Sequence, residues 1–259
     1  MTTPKDTPSL DLHLLNEFVN EHIQSFHVRR LERLSQLTLK DLIQKNPYLF
    51  RAKNVNRASE LIEQTMAAFL SSSEEKIFGD FLESLALFVA QQSSIDAHKS
   101  ATSGLDLEFS KNGVYYVVSI KSGPNWGNSS QHSKLEDDFR KAQIRLRQAS
   151  VKLNVVPVLG ICYGKSRSVW TKGGYLKLVG QNFWALISGE KDFYIQIVEP
   201  VGYRAKEHNE RYLLEKDRIA NKLTKDFIEH FCDERGQIDW VKLVQANSGG
   251  YDLEQILSG

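Results

Sequence analysis

Three polar side chains near the middle of the chain have the types and the spacing to hold a cation beside a phosphate. In "GLDLEFSKNGVYYVVSIKSG" two strand-like runs flank Asn112-Gly113, the pair that most strongly signals a two-residue hairpin turn. With that turn Lys111 faces Val114, Asp106 pairs with Ser119, and Gly104 pairs with Lys121. Asp106 and Lys121 are then diagonal neighbours on one face, roughly 7 Å apart. The backbone carbonyl of Ile120 lies between Ser119 and Lys121. Mg2+ takes hard oxygen ligands, commonly one or two carboxylates completed by phosphate and water. A lysine beside them can orient water or stabilise charge developing on phosphorus. The plainer account is a strand-edge carboxylate paired with Lys121 and nothing more.

The elements that must position these groups follow from periodicity. Period two puts Leu105, Leu107 and Phe109 on one face of the first strand, and Asp106 and Glu108 on the other. Tyr115, Val117, Ser119 and Lys121 share a face of the second, and Glu108, one pleat nearer the turn, is a weaker ligand candidate. The next stretch, "SKLEDDFRKAQIRLRQASVKL", is a helix with an apolar stripe of Leu135, Phe139, Ala142, Leu146 and Ala149. Glu136, Arg140, Gln143 and Arg147 form a polar stripe beside it, and Ser133 with Glu136 has capping-box spacing. "NVVPVLGICYG" is a buried strand whose Pro157 argues for a sheet edge or a strand start. "GKSRSVWTKGG" is a polar connection, "NFWALISG" a short helix, and "DFYIQIVEPVG" either a strand or a helix.

The first ~95 residues read as helical. Leu15, Phe18, Val19, Phe26, Leu31 and Leu34 mark one helix, and Ser59 to Leu70 a second. A third opens at "SSSEEK", where Ser72 and Glu75 have capping-box spacing, and runs through "IFGDFLESLALFVAQQ". Helical pattern returns from about Glu207. The chain is therefore expected to hold a helical segment at 1–95, an α/β core at 96–205 and a helical segment at 206–259, joined as one compact unit.

Bulk properties narrow the class. With 259 residues, 41% of them hydrophobic and 25% charged, the chain is long enough for a sizeable core and ordinary for a soluble globular protein. Its net charge is +1, yet residues 131–180 hold ten Lys/Arg against three acids. That local excess suits a phosphate-binding face and equally a solvated surface. Cys162 and Cys232 fit no metal or disulfide pattern, so a reducing cytoplasm is the expected location. The polar start "MTTPKDTPSL" lacks a signal-peptide core, and no apolar run approaches the ~20 residues that span a bilayer. No HxH or HExxH spacing occurs among the seven histidines, which argues against zinc.

"GLDLEF…VSIKSGPNWGNSSQ" resembles the catalytic hairpin of the PD-(D/E)xK nuclease superfamily, in particular type II restriction endonucleases. "KNPYLFRAKN", "LSSSEEKIFGDFLE" and "NFWALISGEKDFY" resemble further segments of such enzymes, so the likeness runs from about residue 45 to 200. It implies a central mixed β-sheet flanked by helices, a Mg2+ cofactor, and a homodimer that cuts both strands of double-stranded DNA to leave 5′-phosphate ends. It also implies no membrane, and a cognate DNA methyltransferase that acts on the same site without needing to bind this chain. Asp106 and Lys121 match the motif, while Ser119 stands where the motif has an acid. Some of these enzymes draw the missing carboxylate from the following helix, which nominates Glu136 with Asp106 and the Ile120 carbonyl as metal ligands; a cap role for Glu136 stays open. Glu83, on the preceding helix, matches a position where the superfamily often has a further carboxylate. DNA contacts are expected from Asn125, Trp126, Asn128, Ser129, Ser130 and Gln131, from Arg140 and Arg147, and from Lys165, Arg167 and Lys172. Trp126 packed into the core and a solvated basic loop are the alternatives. A non-catalytic DNA-binding protein and a structure-specific repair nuclease are the competing functions. A Ser-Lys acyl hydrolase using Ser119 fits the strand setting poorly.

Overall fold

The computed structural model describes residues 10–94, 96–149 and 153–250, with the backbone alone of Ala149. The ends of the two terminal segments, Lys152 of the basic window and the Ala149 position of the apolar stripe lie outside the described residues. The chain forms two compact units. One joins the chain up to Phe26 with Phe78–Tyr203, and the other joins His27–Ile77 with the chain from Arg204 onward. Helices α1 (Leu12–Ser35) and α4 (Ala58–Ser93) each supply residues to both.

The first unit is built on a six-stranded mixed sheet. Strands β1 (His98–Lys99), β2 (Leu107–Lys111), β3 (Val114–Lys121), β4 (Val155–Ile161), β5 (Val169–Trp170) and β6 (Leu176–Val179) take the order β1-β2-β3-β4-β6-β5. The β2–β3 turn has positive φ at both Asn112 (53°) and Gly113 (76°), the geometry that suits the twist of a tight hairpin. Lys111 pairs with Val114 as the sequence predicts. Strands β3 and β4 run parallel, so the chain must cross over between them, and α5 (Ser129–Ala149) is that crossover.

The β-branched content of β3 and β4 fits strands covered on both faces. Val117, Leu159 and Ile161 pack under Leu135, Phe139, Ala142 and Leu146 of α5. Leu107, Phe109, Val118, Ile120 and Val158 pack under α4 and under Phe183, Trp184 and Ile187 of α6 (Gln181–Ser188). This is the α/β architecture, a mixed sheet between helices, that the sequence leads one to expect.

Gly160 of β4 permits the α6 contact, because a Cβ there would collide with the ring of fully buried Phe183. Gly160→Ala is expected to lower stability by about 1–3 kcal/mol through overpacking. In urea unfolding the midpoint should fall with an unchanged slope.

Several local expectations are corrected. The two helices drawn across 59–92 are one 36-residue helix, α4. Ser72 and Ser73 do not cap a new helix; their hydroxyls donate to the carbonyls of Ala68 and Phe69 within it. Pro157 sits in a central strand, but β6 pairs with β4 only from Val158 onward, so the proline lies outside that ladder. "DFYIQIVEPVG" is helical, as α7 (Phe193–Gln196) and α8 (Val198–Gly202), and the polar connection contains the edge strand β5.

The second unit is helical. Parts of α1 and α4 join α2 (Leu39–Ile43), α3 (Pro47–Ala52), α9 (Ala205–Phe231) and α10 (Trp240–Ser248). Tyr212, Ile219, Leu223 and Phe227 recur at helical spacing along α9 and bury against Leu34, Leu42, Phe50, Ile62 and Met66. Among the described residues no helix is long and apolar enough to cross a membrane.

Candidate active site

Strict alternation breaks at Asp106. Its N–H donates to the Val118 carbonyl (2.9 Å) although the ladder pairs Val118 with Leu107. Two residues therefore oppose one, the arrangement of a β-bulge, which re-aims a side chain. Leu105 in consequence packs on the α5 side, while Leu107 and Phe109 pack on the α4 side. The single face predicted for those three residues, and the one predicted for Asp106 with Glu108, are corrected accordingly. The ladder ends at Leu107, so Gly104 does not pair with Lys121. It turns with φ 89° against the carboxylate of Asp138 on α5, where a side chain would collide.

The bulge brings oxygen atoms and an amine together at the end of β3. The Asp106 carboxylate accepts from the Ile120 N–H and from the Ser119 hydroxyl (3.3 Å). Lys121 Nζ lies 3.8 Å from the same carboxylate oxygen and donates to the Ile120 carbonyl at 2.9 Å. The ammonium thus occupies a position bounded by a carboxylate and a carbonyl, which are the hard donors a divalent cation takes. Ser119 is fully buried beneath Asp106, so its hydroxyl supports the carboxylate and is closed to attack on a substrate.

Glu83 approaches from α4, half-buried. Burial pushes its carboxyl above the ordinary range, and the charge of Asp106 adds to the effect, against Lys121 and Lys99. Two carboxylates held in mutual repulsion with a carbonyl beside them fit a cation that takes one or two carboxylates. Among the described residues no three His, Cys, Asp or Glu side chains form a metal-binding group. Cys162 lies below, its thiol pushed up to about 12 by burial and by the charges of Glu83 and Asp106. The Cys162 N–H donates to the Lys121 carbonyl (2.9 Å), which fixes the strand end.

Glu136 lies on α5. Its carboxylate rests on Gly173 in the β5–β6 turn, where a Cβ would collide. It is not a cap residue. Helix α5 begins four residues before Ser133 in sequence, at Ser129, and its capping box is Asn128 with Gln131. Asn128 Oδ1 accepts from the Gln131 N–H (3.1 Å), and Gln131 Oε1 from the Asn128 N–H (2.9 Å). Glu108 is excluded as a ligand for a different reason. Fully buried, it accepts from Arg145, from the hydroxyls of Ser100 and Tyr115, and from the Ala101 N–H. These donors occupy its oxygens.

The residues expected to meet DNA are spread over three segments. Asn125, Asn128, Ser129, Ser130 and Gln131 are exposed, but Asn128, Ser130 and Gln131 are joined in the cap. Trp126 is half-buried against the α5-side core, 4.7 Å from the His132 ring, with Lys121 Nζ 5.6 Å from its centroid. Arg140 pairs with Asp137 (2.8 Å), and Arg147 is exposed on the same helix. Lys165, Arg167 and Lys172 are exposed around β5.

Sequence reasoning missed Tyr163, Asp138 and Lys99. Tyr163 lies across Gly123, where a Cβ would stand 2.5 Å from its hydroxyl. Its N–H donates to the Ser122 carbonyl (3.2 Å), zipping the loop after β4 to the loop after Lys121. Only the parallel register of β3 with β4 brings those loops side by side, and no local pattern announces that pairing.

The family model for type II restriction endonuclease EcoO109I matches residues 13–209. No curated protein matches the chain.

Proposed function

The chain belongs to the family of type II restriction endonuclease EcoO109I, and on that premise we propose that it is a Mg2+-dependent endonuclease that cuts double-stranded DNA at a specific site. One observation carries the reading beyond the family. Lys121 Nζ stands 3.8 Å from Asp106 and 2.9 Å from the Ile120 carbonyl at a strand end. Asp106, the Ile120 carbonyl and Glu83 would hold the metal. Bound Mg2+ supplies Lewis-acid polarisation of the phosphate and a water that ionises more readily. Lys121 would orient the attacking water in line with phosphorus and stabilise the charge that develops there. The water oxygen would bond to phosphorus and release its proton to solvent, the phosphorus–O3′ bond would break, the 3′ oxygen would take a proton from solvent, and the 5′ end would keep the phosphate. Asp106 keeps its orientation through Ser119 and the Ile120 N–H. Two such sites, one from each protomer of a homodimer, would cut the two strands of a palindromic sequence. The action would be cytoplasmic, with a cognate DNA methyltransferase protecting the same sequence.

We assign the second carboxylate to Glu83 rather than to Glu136, because Glu83 feels the Asp106 charge while Glu136 rests on Gly173. Wild-type protein with Mg2+ should convert a sequenced phage genome to discrete fragments, and chelation should stop it. Glu83→Ala should lose about 10²–10³-fold in rate, whereas Glu136→Ala should keep most of it. The reverse pattern would return the ligand role to Glu136. A wild type that binds duplex DNA and never cuts it would leave a binding protein on a nuclease fold.

A further inference from the structure

In the helical unit, Arg29 and Arg33 stand four residues apart on α1, while Phe69 and Lys76 stand seven apart on α4. Each pair shares a helix face. The fold brings these faces together with Lys45, which follows α2, around a cleft of about 530 Å³. Among the described residues lining it, Glu32 alone carries a negative charge, against four cations. The Arg33 guanidinium lies 4.5 Å from the Phe69 ring centroid and the Lys45 ammonium 5.7 Å from it. One ring therefore holds two like charges at the wall of the cleft. The hydroxyls of Ser72 and Ser73 are spent on backbone carbonyls, which leaves the cations as the main donors.

Excess positive charge is not a general property of this unit's clefts. A larger one, about 690 Å³, is lined by Arg211 and Arg218 against Glu32 and Glu215, and Arg218 is bonded to Glu215. That surface is balanced, whereas the first is not.

We propose that the Arg33–Lys45–Lys76 cleft binds the sugar-phosphate backbone of duplex DNA, as a sequence-independent contact additional to the sheet-end site. The inference rests on the restriction-endonuclease reading, which supplies duplex DNA as the polyanion. Long flexible cations from separate segments suit an extended row of phosphates, each met as a point charge. Neutralising phosphates releases counterions, so each contact steepens the salt dependence of binding by a slope of about 0.9.

The test is duplex binding by the full-length protein in chelator, where no cutting occurs, over a range of salt. Arg33→Gln/Lys45→Gln/Lys76→Gln should reduce the salt slope by about two to three and weaken random-sequence and cleaved duplexes alike. Lys76→Gln alone, at an exposed position, should reduce the slope by about one with an unchanged melting temperature. Arg33→Lys should restore the slope when introduced in place of Arg33→Gln. Unchanged slopes in a protein that still cuts DNA would overturn the cleft assignment alone. A wild type that neither binds nor cuts duplex DNA would overturn the restriction reading, and the cleft's DNA assignment with it.

Discussion

Lys121→Ala is expected to reduce DNA cleavage by about 10³-fold while leaving duplex binding in chelator and the folded state nearly intact. The stability side of this prediction follows from exposure. The lysine side chain is 31% exposed and its ion pair with Asp106 spans 3.8 Å, a pair worth about 0–1 kcal/mol in a partly solvated place. Its contact with Trp126 at 5.6 Å is comparably weak. The catalytic side is large because no neighbour can substitute. Lys99 is exposed on β1 and acts on Glu83, and no cation is bonded to Asp106 apart from Lys121 among the described residues. Lys121→Arg should rescue little, since a planar guanidinium cannot place one compact charge beside both Asp106 and the Ile120 carbonyl. Asp106→Asn should lose a similar factor, and its loss should respond to the metal concentration, as that of Lys121→Ala should not. Single-turnover cleavage of a mapped duplex, with binding measured in parallel, checks both. Full activity in Lys121→Ala would sink the mechanism.

The largest expected loss of stability lies in a residue that the chemistry does not use. Arg145→Ala should destabilise the protein by about 3–4 kcal/mol, the lower part of the range for breaking a buried ion pair. Arg145 is 40% exposed while Glu108 is 0% exposed, so water can reach only one side of the gap. Burial pushes the Glu108 carboxyl up, but bonds from Arg145, Ser100 and Tyr115 outweigh it and hold the group below its ordinary value. The sign follows. Glu108 stabilises the wild type above the ordinary glutamate range, and that stabilisation is lost as the pH falls through its lowered folded value. Without Arg145 the same burial favours the protonated form, so the deficit of the variant should narrow between neutral pH and about pH 4.5. Glu108→Gln should cost less, about 1–2 kcal/mol, because it keeps an acceptor and leaves Arg145 free to hydrate. Urea unfolding at the two pH values, followed by tryptophan fluorescence, measures both. A deficit that grows on acidification would mean that Glu108 does not depend on Arg145.

The hairpin and its helix were legible because their signals are local. Asn112-Gly113 fixes the register through backbone conformation alone, and Lys111 pairs with Val114 as that turn demands. The α5 stripe was legible because 3.6-residue spacing requires no knowledge of the partner. Capping was legible in kind and misplaced in position. Ser133 with Glu136 has the right spacing, but so has Asn128 with Gln131, and the latter forms the cap. Spacing alone cannot rank two competing caps a few residues apart. Ser72 failed as a cap for a related reason: its hydroxyl found a carbonyl inside a helix that α4 had no cause to break.

Sequence by itself determined the hairpin, the helix that follows it, the buried character of β4 and the placing of Asp106 beside Lys121 as chemical neighbours. Each is set by residue types within one turn or one pleat. Tertiary structure alone decided the rest. The bulge at Asp106 overrides period two, so Leu105 and Leu107 face opposite cores and Glu108 goes to Arg145 instead of to the site. That Glu83 of α4 feels the charge of Asp106 depends on how a helix far away in sequence docks on the sheet. Periodicity reports which face of an element is apolar; it carries no information about which partner covers that face.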